Sequence, residues 1–339
     1  MHSAPRSNST ILDVAREARA SKTSVSRYFG HERERLSPEL QARIAMAAQR
    51  LGYRPNRMAR GLKGGSSGLV GMLVADIRNP FSVAVMHGIE QACRERGLSL
   101  MVCNTDNDPS QERAHLELLA SYRVEGLVIN AAGSPDQELQ ALTERGIPLV
   151  LLDRDVGSID ADVVGLDNQM AIDIALDHLQ AQGYRTLLYI SEPPAEASSR
   201  QIRLKHFQRG CQVRGLNGWI HDQRLDEGAC LHRAISNFLS HQTASPRSLL
   251  CANGRVTLAV TRVLQELGVT LGDIGLLGID ELDWCALIPP GITTLAQPTE
   301  AIGRAALQCL LAEPTSGRTS LAPPYLHPPT LMARGSTRR

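Results

Sequence analysis

TILDVAREARASKTSVSRYF, residues Thr10–Phe29, decides the reading of the N-terminal end of this 339-residue chain. Ile11, Val14, Ala15 and Ala18 recur at helical spacing and give a first helix one apolar face, with Asp13 and Glu17 on the other side. Ser21 is placed to cap a second helix. Val25, with Tyr28 or Phe29, turns toward the same core and leaves Lys22, Thr23, Ser26 and Arg27 outside. Two short helices joined by a tight turn, the second with a polar and basic outer face, predict a helix-turn-helix that sets its second helix in a DNA major groove. A third helix follows, running from Ser37-Pro38-Glu39 to Leu51. Its serine cap, early proline and early acid start it, Leu40, Ile44, Ala47 and Leu51 share a face, and Gly52 ends it.

Charge supports the same conclusion. Residues 1–64 hold thirteen Lys/Arg against five Asp/Glu, a net of +8; with +1 for the whole chain, the remainder carries −7. A basic head on an acidic body fits a polyanionic partner at one end only. Apolar residues make up 42% and charged residues 21%, as in ordinary globular proteins. The seven cysteines are scattered and never spaced as CxxC, so buried thiols are expected, with no disulfide, metal or cofactor. MHSAPRSNST lacks an apolar targeting core, and no apolar run reaches the roughly 20 residues of a membrane span. A cytoplasmic protein, nucleoid-associated when bound to DNA and with no membrane partner, is the expectation.

From Leu69 the pattern becomes β-α alternation. LVGMLVA, LSLMVCN, GLVIN and PLVLLD read as strands separated by helices at 82–96, 111–122 and 136–145. After VVGLDN comes a second series: helices at 169–182, 200–214, 228–240 and 255–267, with strands TLLYI, SLLCAN and DIGLLGID. Short buried strands alternating with amphipathic helices predict an α/β fold of doubly wound parallel sheets in two lobes. Leu331–Arg334 reads as a short closing strand, and GSTRR beyond it as a loose tail. Polar residues gather at the strand ends: Asp76, Asn79 and Ser82 after the first, Asn130 after the third, Asp153-Arg154 after the fourth, and Asn253 and Asp280 later, with Trp284 just beyond. In open α/β sheets that is where ligands bind.

The string TIxDVAxxAxxSxxTVSRxL, the third helix ending LGYRPN and the PNxxAxxL segment resemble the lactose-repressor (LacI/GalR) family nearly end to end. Arg19-Ala20 replaces the family's usual Gly-Val before the capping serine, and Ser24 stands where threonine is usual; a positive φ at Arg19 would cost more than at glycine. The resemblance implies a DNA-binding domain over 9–54, a hinge helix and linker over 55–68, and an effector-binding and dimerisation domain over 69–339. The last has a periplasmic-binding-protein-like shape: an N-lobe of about 69–165 and 295–325, and a C-lobe of about 166–292. The implied DNA contacts are Thr10, Ser21, Lys22, Thr23, Ser24, Ser26, Arg27, Asn56, Arg57, Ala59 and Leu62, with Leu62 the wedge at a minor-groove step. The resemblance implies effector contacts at Phe81, Arg154, Arg203, Asn253 and Asp280; with Asp76, Ser82, Asn130 and Trp284 at the strand ends and Ser199, these make the candidate effector set.

Asn253-Gly254 stands where sugar-binding relatives often carry Asn-Asp, and Arg154 and Arg203 favour an anion. The strings GMLVADIRNPFS, VCNTDNDP, LLCANG and DIGLLGIDELDW resemble regulators for 2-ketogluconate and 2-keto-3-deoxygluconate. The expectation is a homodimeric repressor that binds double-stranded DNA at a near-palindromic operator and is released by a keto sugar acid. A co-repressor arrangement answering to a neutral sugar or purine is the alternative. An enzyme acting on a keto sugar acid is the remote one: GxGxxG, a nucleophile elbow and HExxH are all missing, and Asp177-His178 reads as a surface pair.

Overall fold

The computed structural model describes residues 9–30, 32–54, 67–131, 133, 136–154, 159, 161–225, 228–241, 245–312 and 325–339. It forms two compact units, one up to Ser67 and one from Gly68 to Arg339.

The first unit contains α1 (Ile11–Glu17), α2 (Lys22–Tyr28) and α3 (Pro38–Arg50) around Val14, Ala15, Ala18, Val25, Ile44, Ala47 and Ala48. Each helix begins on a hydroxyl cap. Thr10 and Asp13 form a reciprocal capping box, Ser21 accepts from the Ser24 amide, and Ser37 accepts from that of Leu40. Arg19 turns the chain between α1 and α2 with φ +47°, the left-handed conformation that glycine adopts without penalty. Arg43 of α3 supports the turn: its Nη2 lies 2.6 Å from the carbonyl oxygens of both Ala18 and Arg19, satisfying acceptors that the end of α1 leaves open.

The second unit contains two six-stranded sheets. The first has the order β11-β5-β4-β3-β1-β2, all parallel: β1 (Leu69–Val74), β2 (Ser99–Asn104), β3 (Leu127–Ile129), β4 (Leu149–Leu152), β5 (Asp162–Leu166) and β11 (Tyr325–His327). The second has the order β12-β10-β9-β8-β6-β7: β6 (Thr186–Ser191), β7 (Asn217–Asp222), β8 (Arg247–Cys251), β9 (Gly275–Ile279), β10 (Thr293–Ala296) and the antiparallel β12 (Thr330–Met332). Along β1, Val70, Met72 and Val74 enter one core layer and Leu73 the opposite one, the strand period of two with both faces buried.

Helices α4 (Pro80–Glu95), α5 (Pro109–Ser121) and α6 (Asp136–Glu144) flank the first sheet. The second is flanked by α7 (Asn168–Ala181), α8 (Ser198–Arg214), α9 (Gly228–Ser240) and α10 (Gly254–Glu266). The last helix, α11 (Thr299–Leu310), packs on α4 of the first lobe. The two backbones meet at glycines: a Cβ on Gly303 would lie 2.6 Å from the Val85 carbonyl, and one on Gly88 2.9 Å from that of Glu300.

The lobes exchange chain later than the sequence suggests. β10 hydrogen-bonds to β9 in the second sheet, so the return expected at 295 begins with α11, and β12 then carries the terminus back. Strands β5, β7, β10 and β11 have no counterpart among the strands read from sequence. The terminal GSTRR is not a loose tail. Ser336 and Thr337 are fully buried; Ser336 Oγ donates to the Leu276 carbonyl and accepts the Thr293 amide. Thr337 Oγ1 meets Thr293 Oγ1 at 2.7 Å and His178 Nε2 at 2.8 Å. His178 is thereby drawn inward, while Asp177 remains exposed and pairs with Arg214. Arg334 adds a bidentate pair to Glu281, at 2.6 and 2.9 Å.

Candidate functional site

In the first unit, α2 presents Lys22, Thr23, Ser26 and Arg27 to solvent while Val25 is fully buried. Lys22 and Thr23 open the helix, where orphan amides and the positive end of the dipole favour a phosphate-bearing partner. Ser21 and Ser24 hydroxyls lie 2.9 Å apart and are engaged in the cap, and Thr10 is engaged with Asp13. Arg27 pairs with Glu32 at 3.3 Å on the surface, a contact weak enough to yield to a phosphate or a guanine edge.

In the second unit the carboxyl ends of both sheets carry polar side chains of two kinds. Some are already satisfied. Asp280 accepts from the Gly254 amide at 2.8 Å and from Gln297 at 2.5 Å. Asn253 caps α10 through Oδ1 and donates to Glu192 at 3.0 Å. Asp76 accepts from the Arg78 amide and side chain, both at 2.9 Å, and from Arg255 at 3.0 Å. Burial pushes its carboxyl up, but the hydrogen bonds from Arg78 and the charges of Arg78 and Arg255 outweigh this and hold it below the usual carboxylate range.

Others keep unsatisfied atoms. Arg203 on α8 is 4% exposed; its Nε donates to Asn168 and its Nη1 to the Ala252 carbonyl, both at 2.6 Å, and among the described residues Nη2 has no hydrogen-bond partner. Arg154 reaches the Ala131 carbonyl and, at 3.4 Å, that of Glu196, leaving its remaining N–H groups for another acceptor. Between these cations lies Asp153, whose Oδ1 is buried without a partner. Burial pushes its carboxyl up, opposed by the charges of Arg203 and Arg154 and a hydrogen bond from Ser199. Gln297 Oε1 is likewise buried and unpartnered. Asp153 and Asp280 end strands in the two lobes with φ +58° and +81°, and strained residues of this kind gather at binding sites.

Among the described residues the site therefore offers guanidinium N–H donors around Asp153, and Asp153 Oδ1 and Gln297 Oε1 as unfilled acceptors. Residues 10–56 match the lacI family of bacterial regulatory proteins, and residues 176–337 match a periplasmic binding protein-like domain. The transcriptional regulator PtxS of Pseudomonas putida is 49% identical over 333 residues, covering 98% of this chain and 97% of its own length. The chain belongs to the lacI family. The regulator KdgR of Bacillus subtilis is 38% identical over 307 residues, 90% of this chain and 91% of its own. The lac repressor dimer, solved bound to operator and the anti-inducer ONPF, shares the fold: TM-score 0.81 at 21% identity, covering 98% of this chain and 100% of that one. These relatives are transcriptional regulators, and this LacI-family chain is a ligand-responsive DNA-binding regulator and not an enzyme.

Within this regulator the residues singled out from sequence separate by availability. Arg154, Ser199 and Arg203 come together around Asp153. Asn130 is buried and gives its Nδ2 to the Leu152 carbonyl, which leaves its Oδ1 as an acceptor. Phe81 packs into the first lobe's core, Ser82 is buried at the first turn of α4, and Trp284 packs against the second lobe's core. Asn56, Arg57, Ala59 and Leu62 lie outside the described residues. Sequence reading placed Asp153 at a strand end without assigning it a contact, and it missed Gln297; the unsatisfied acceptor that marks each is a property of packing. Gly254 has a local correlate: a Cβ there would lie 2.7 Å from Leu282 Cδ1, so the acid usual at this position would require the Leu282 side chain to move.

Proposed function

We propose that the regulator is a homodimeric repressor whose cleft takes a keto sugar acid of the 2-ketogluconate class, and that ligand binding releases it from a near-palindromic operator. The observation that carries the reading is the gathering of Arg154 and Arg203 around Asp153, whose Oδ1 is unpartnered, with Gln297 Oε1 likewise unpartnered beside Asp280. Guanidinium N–H groups take a carboxylate, while a buried carboxylate oxygen and an amide oxygen take hydroxyl donors. A sugar acid has both groups on one small molecule. A neutral sugar would leave the two cations unused, and a purine offers few hydroxyls. The resemblance to keto-acid regulators agrees with this.

Lys22, Thr23, Ser26 and Arg27 read the operator, assisted by Thr10, Ser21, Ser24 and the hinge residues Asn56, Arg57, Ala59 and Leu62. One α2 per half-site makes two-fold symmetry the natural arrangement, and a cytoplasmic location follows from the target. Among the described residues no helix is long and apolar enough to cross a membrane. Thermal-shift titration with 2-ketogluconate, 2-keto-3-deoxygluconate, glucose and hypoxanthine tests the ligand class. The reading expects stabilisation by a keto acid that grows with its concentration; a response to glucose or hypoxanthine alone overturns it.

A further inference from the structure

Asp76 follows β1 in the first lobe, and Arg255 lies in the first turn of α10 in the second. Arg255 Nη1 sits 3.0 Å from Asp76 Oδ2, and the Asp76 side chain is only 6% exposed. Behind Arg255 stands Glu192, at the end of β6, with Oε1 4.0 Å away. Glu192 is itself fixed by Arg200 at 2.9 Å and Asn253 at 3.0 Å. Arg78 secures Asp76 from the other side. Both partners are thus braced within their own lobes, and their ion pair joins the two lobes.

We propose that Asp76 and Arg255 are a positioning pair, a charge latch that holds the two lobes closed over the cleft and sets how much effector is needed, with neither residue touching the effector. Both Asp76 oxygens accept hydrogen bonds within the fold and the side chain is buried, so its charge is already committed to Arg78 and Arg255. Gly254 and Arg255 act together: glycine admits Leu282 and removes an acid from the cleft, and the next residue supplies a cation that reaches the opposite lobe. A half-buried pair braced at both ends loses less side-chain freedom on forming than a surface pair does, so its effect on the closed population exceeds that of an exposed bridge. Open and closed arrangements differ by this contact. The latch therefore raises the closed population before ligand arrives, and ligand shifts it further.

The proposal rests on the cleft reading only for what closure serves, and its test uses the effector-free full-length chain. Amide hydrogen exchange is followed in peptides covering 127–131, which holds neither the pair nor its braces, and 197–203, which holds Arg200. Arg255→Gln should speed exchange in both peptides roughly three- to tenfold, and Asp76→Asn/Arg255→Gln should do no more than Arg255→Gln alone. Raising NaCl from about 0.05 to about 0.5 M should have the same effect on the wild type and little on Arg255→Gln. Changes confined to α10, additive effects of the two substitutions, or equal salt sensitivity in Arg255→Gln would overturn the latch. Failure of every sugar acid to bind would leave it standing and would count against the ligand class alone.

Discussion

The outer face of α2 and the cleft of the sensor unit both consist of polar side chains, and they differ in what those side chains are doing. On α2, Lys22, Thr23 and Ser26 stand in water, ready to exchange solvent for a nucleic acid. In the cleft, Asp76, Asn253 and Asp280 are engaged inside the fold, and among the described residues a few atoms, including Asp153 Oδ1, Gln297 Oε1, Asn130 Oδ1, Arg203 Nη2 and the outer N–H groups of Arg154, are left over. An exposed recognition surface tolerates loss of one contact, because the freed groups return to water. A buried one does not, because each orphaned group keeps its desolvation penalty.

That contrast orders the expected effects. Arg203→Ala should be the most severe, weakening keto-acid binding by about a hundredfold or more while leaving operator affinity in the absence of ligand near that of the wild type; calorimetry and gel shifts check the two halves separately. Removing residues 335–339 should lower sensor stability by about 2–4 kcal/mol, since the Thr293 amide and hydroxyl, the Leu276 carbonyl and His178 would lose their Ser336 and Thr337 partners. Denaturant unfolding measures it, with the head's own transition unchanged. On the exposed side, Lys22→Ala should reduce operator affinity by about tenfold and leave effector binding unaltered.

A smaller effect is the pH response of Asp153. Its folded carboxyl titrates above the ordinary value, so the unfolded chain gives up this proton first. The associated stability is fully present below the ordinary carboxyl range and is lost as pH rises through the raised folded value. Asp153→Asn should therefore stabilise the effector-free protein at neutral pH and abolish that decline, at the cost of effector binding; pH-dependent thermal unfolding checks both. Arg19→Gly should have the smallest effect, stabilising the head by about 1 kcal/mol through relief of the left-handed turn. A destabilised Arg19→Gly head would show instead that the arginine side chain outweighs its backbone strain.

The helix-turn-helix and the succession of sheets were legible because they rest on local signals: serine caps, an apolar face every third or fourth residue, and short buried strands. Arg19 was legible too, since a missing glycine at a tight turn names its own strain. Elements that depend on distant partners were not. Strand β7 lies at a sheet edge and is exposed over Asn217–Ile220, so no alternation marks it. The tail Gly335–Thr337 is polar and is buried because Thr293, Leu276 and His178 supply partners from other elements. In the cleft, the strand-end rule found where the polar residues gather. It could not say that Asp76 is engaged across the cleft by Arg255, or that Asp153 and Gln297 are left open, because both facts are set by side chains far away in sequence.

The central claim is that an anionic sugar in the cleft controls the exposed surface on α2. Fluorescence anisotropy of the full-length regulator on a palindromic DNA, selected by the protein from a random pool, tests this directly when 2-ketogluconate is titrated into the complex. The account predicts release of the DNA by the keto acid, no release by glucose at equal concentration, and no response in Arg203→Ala. Tighter DNA binding with the keto acid, or equal release by glucose, would contradict it.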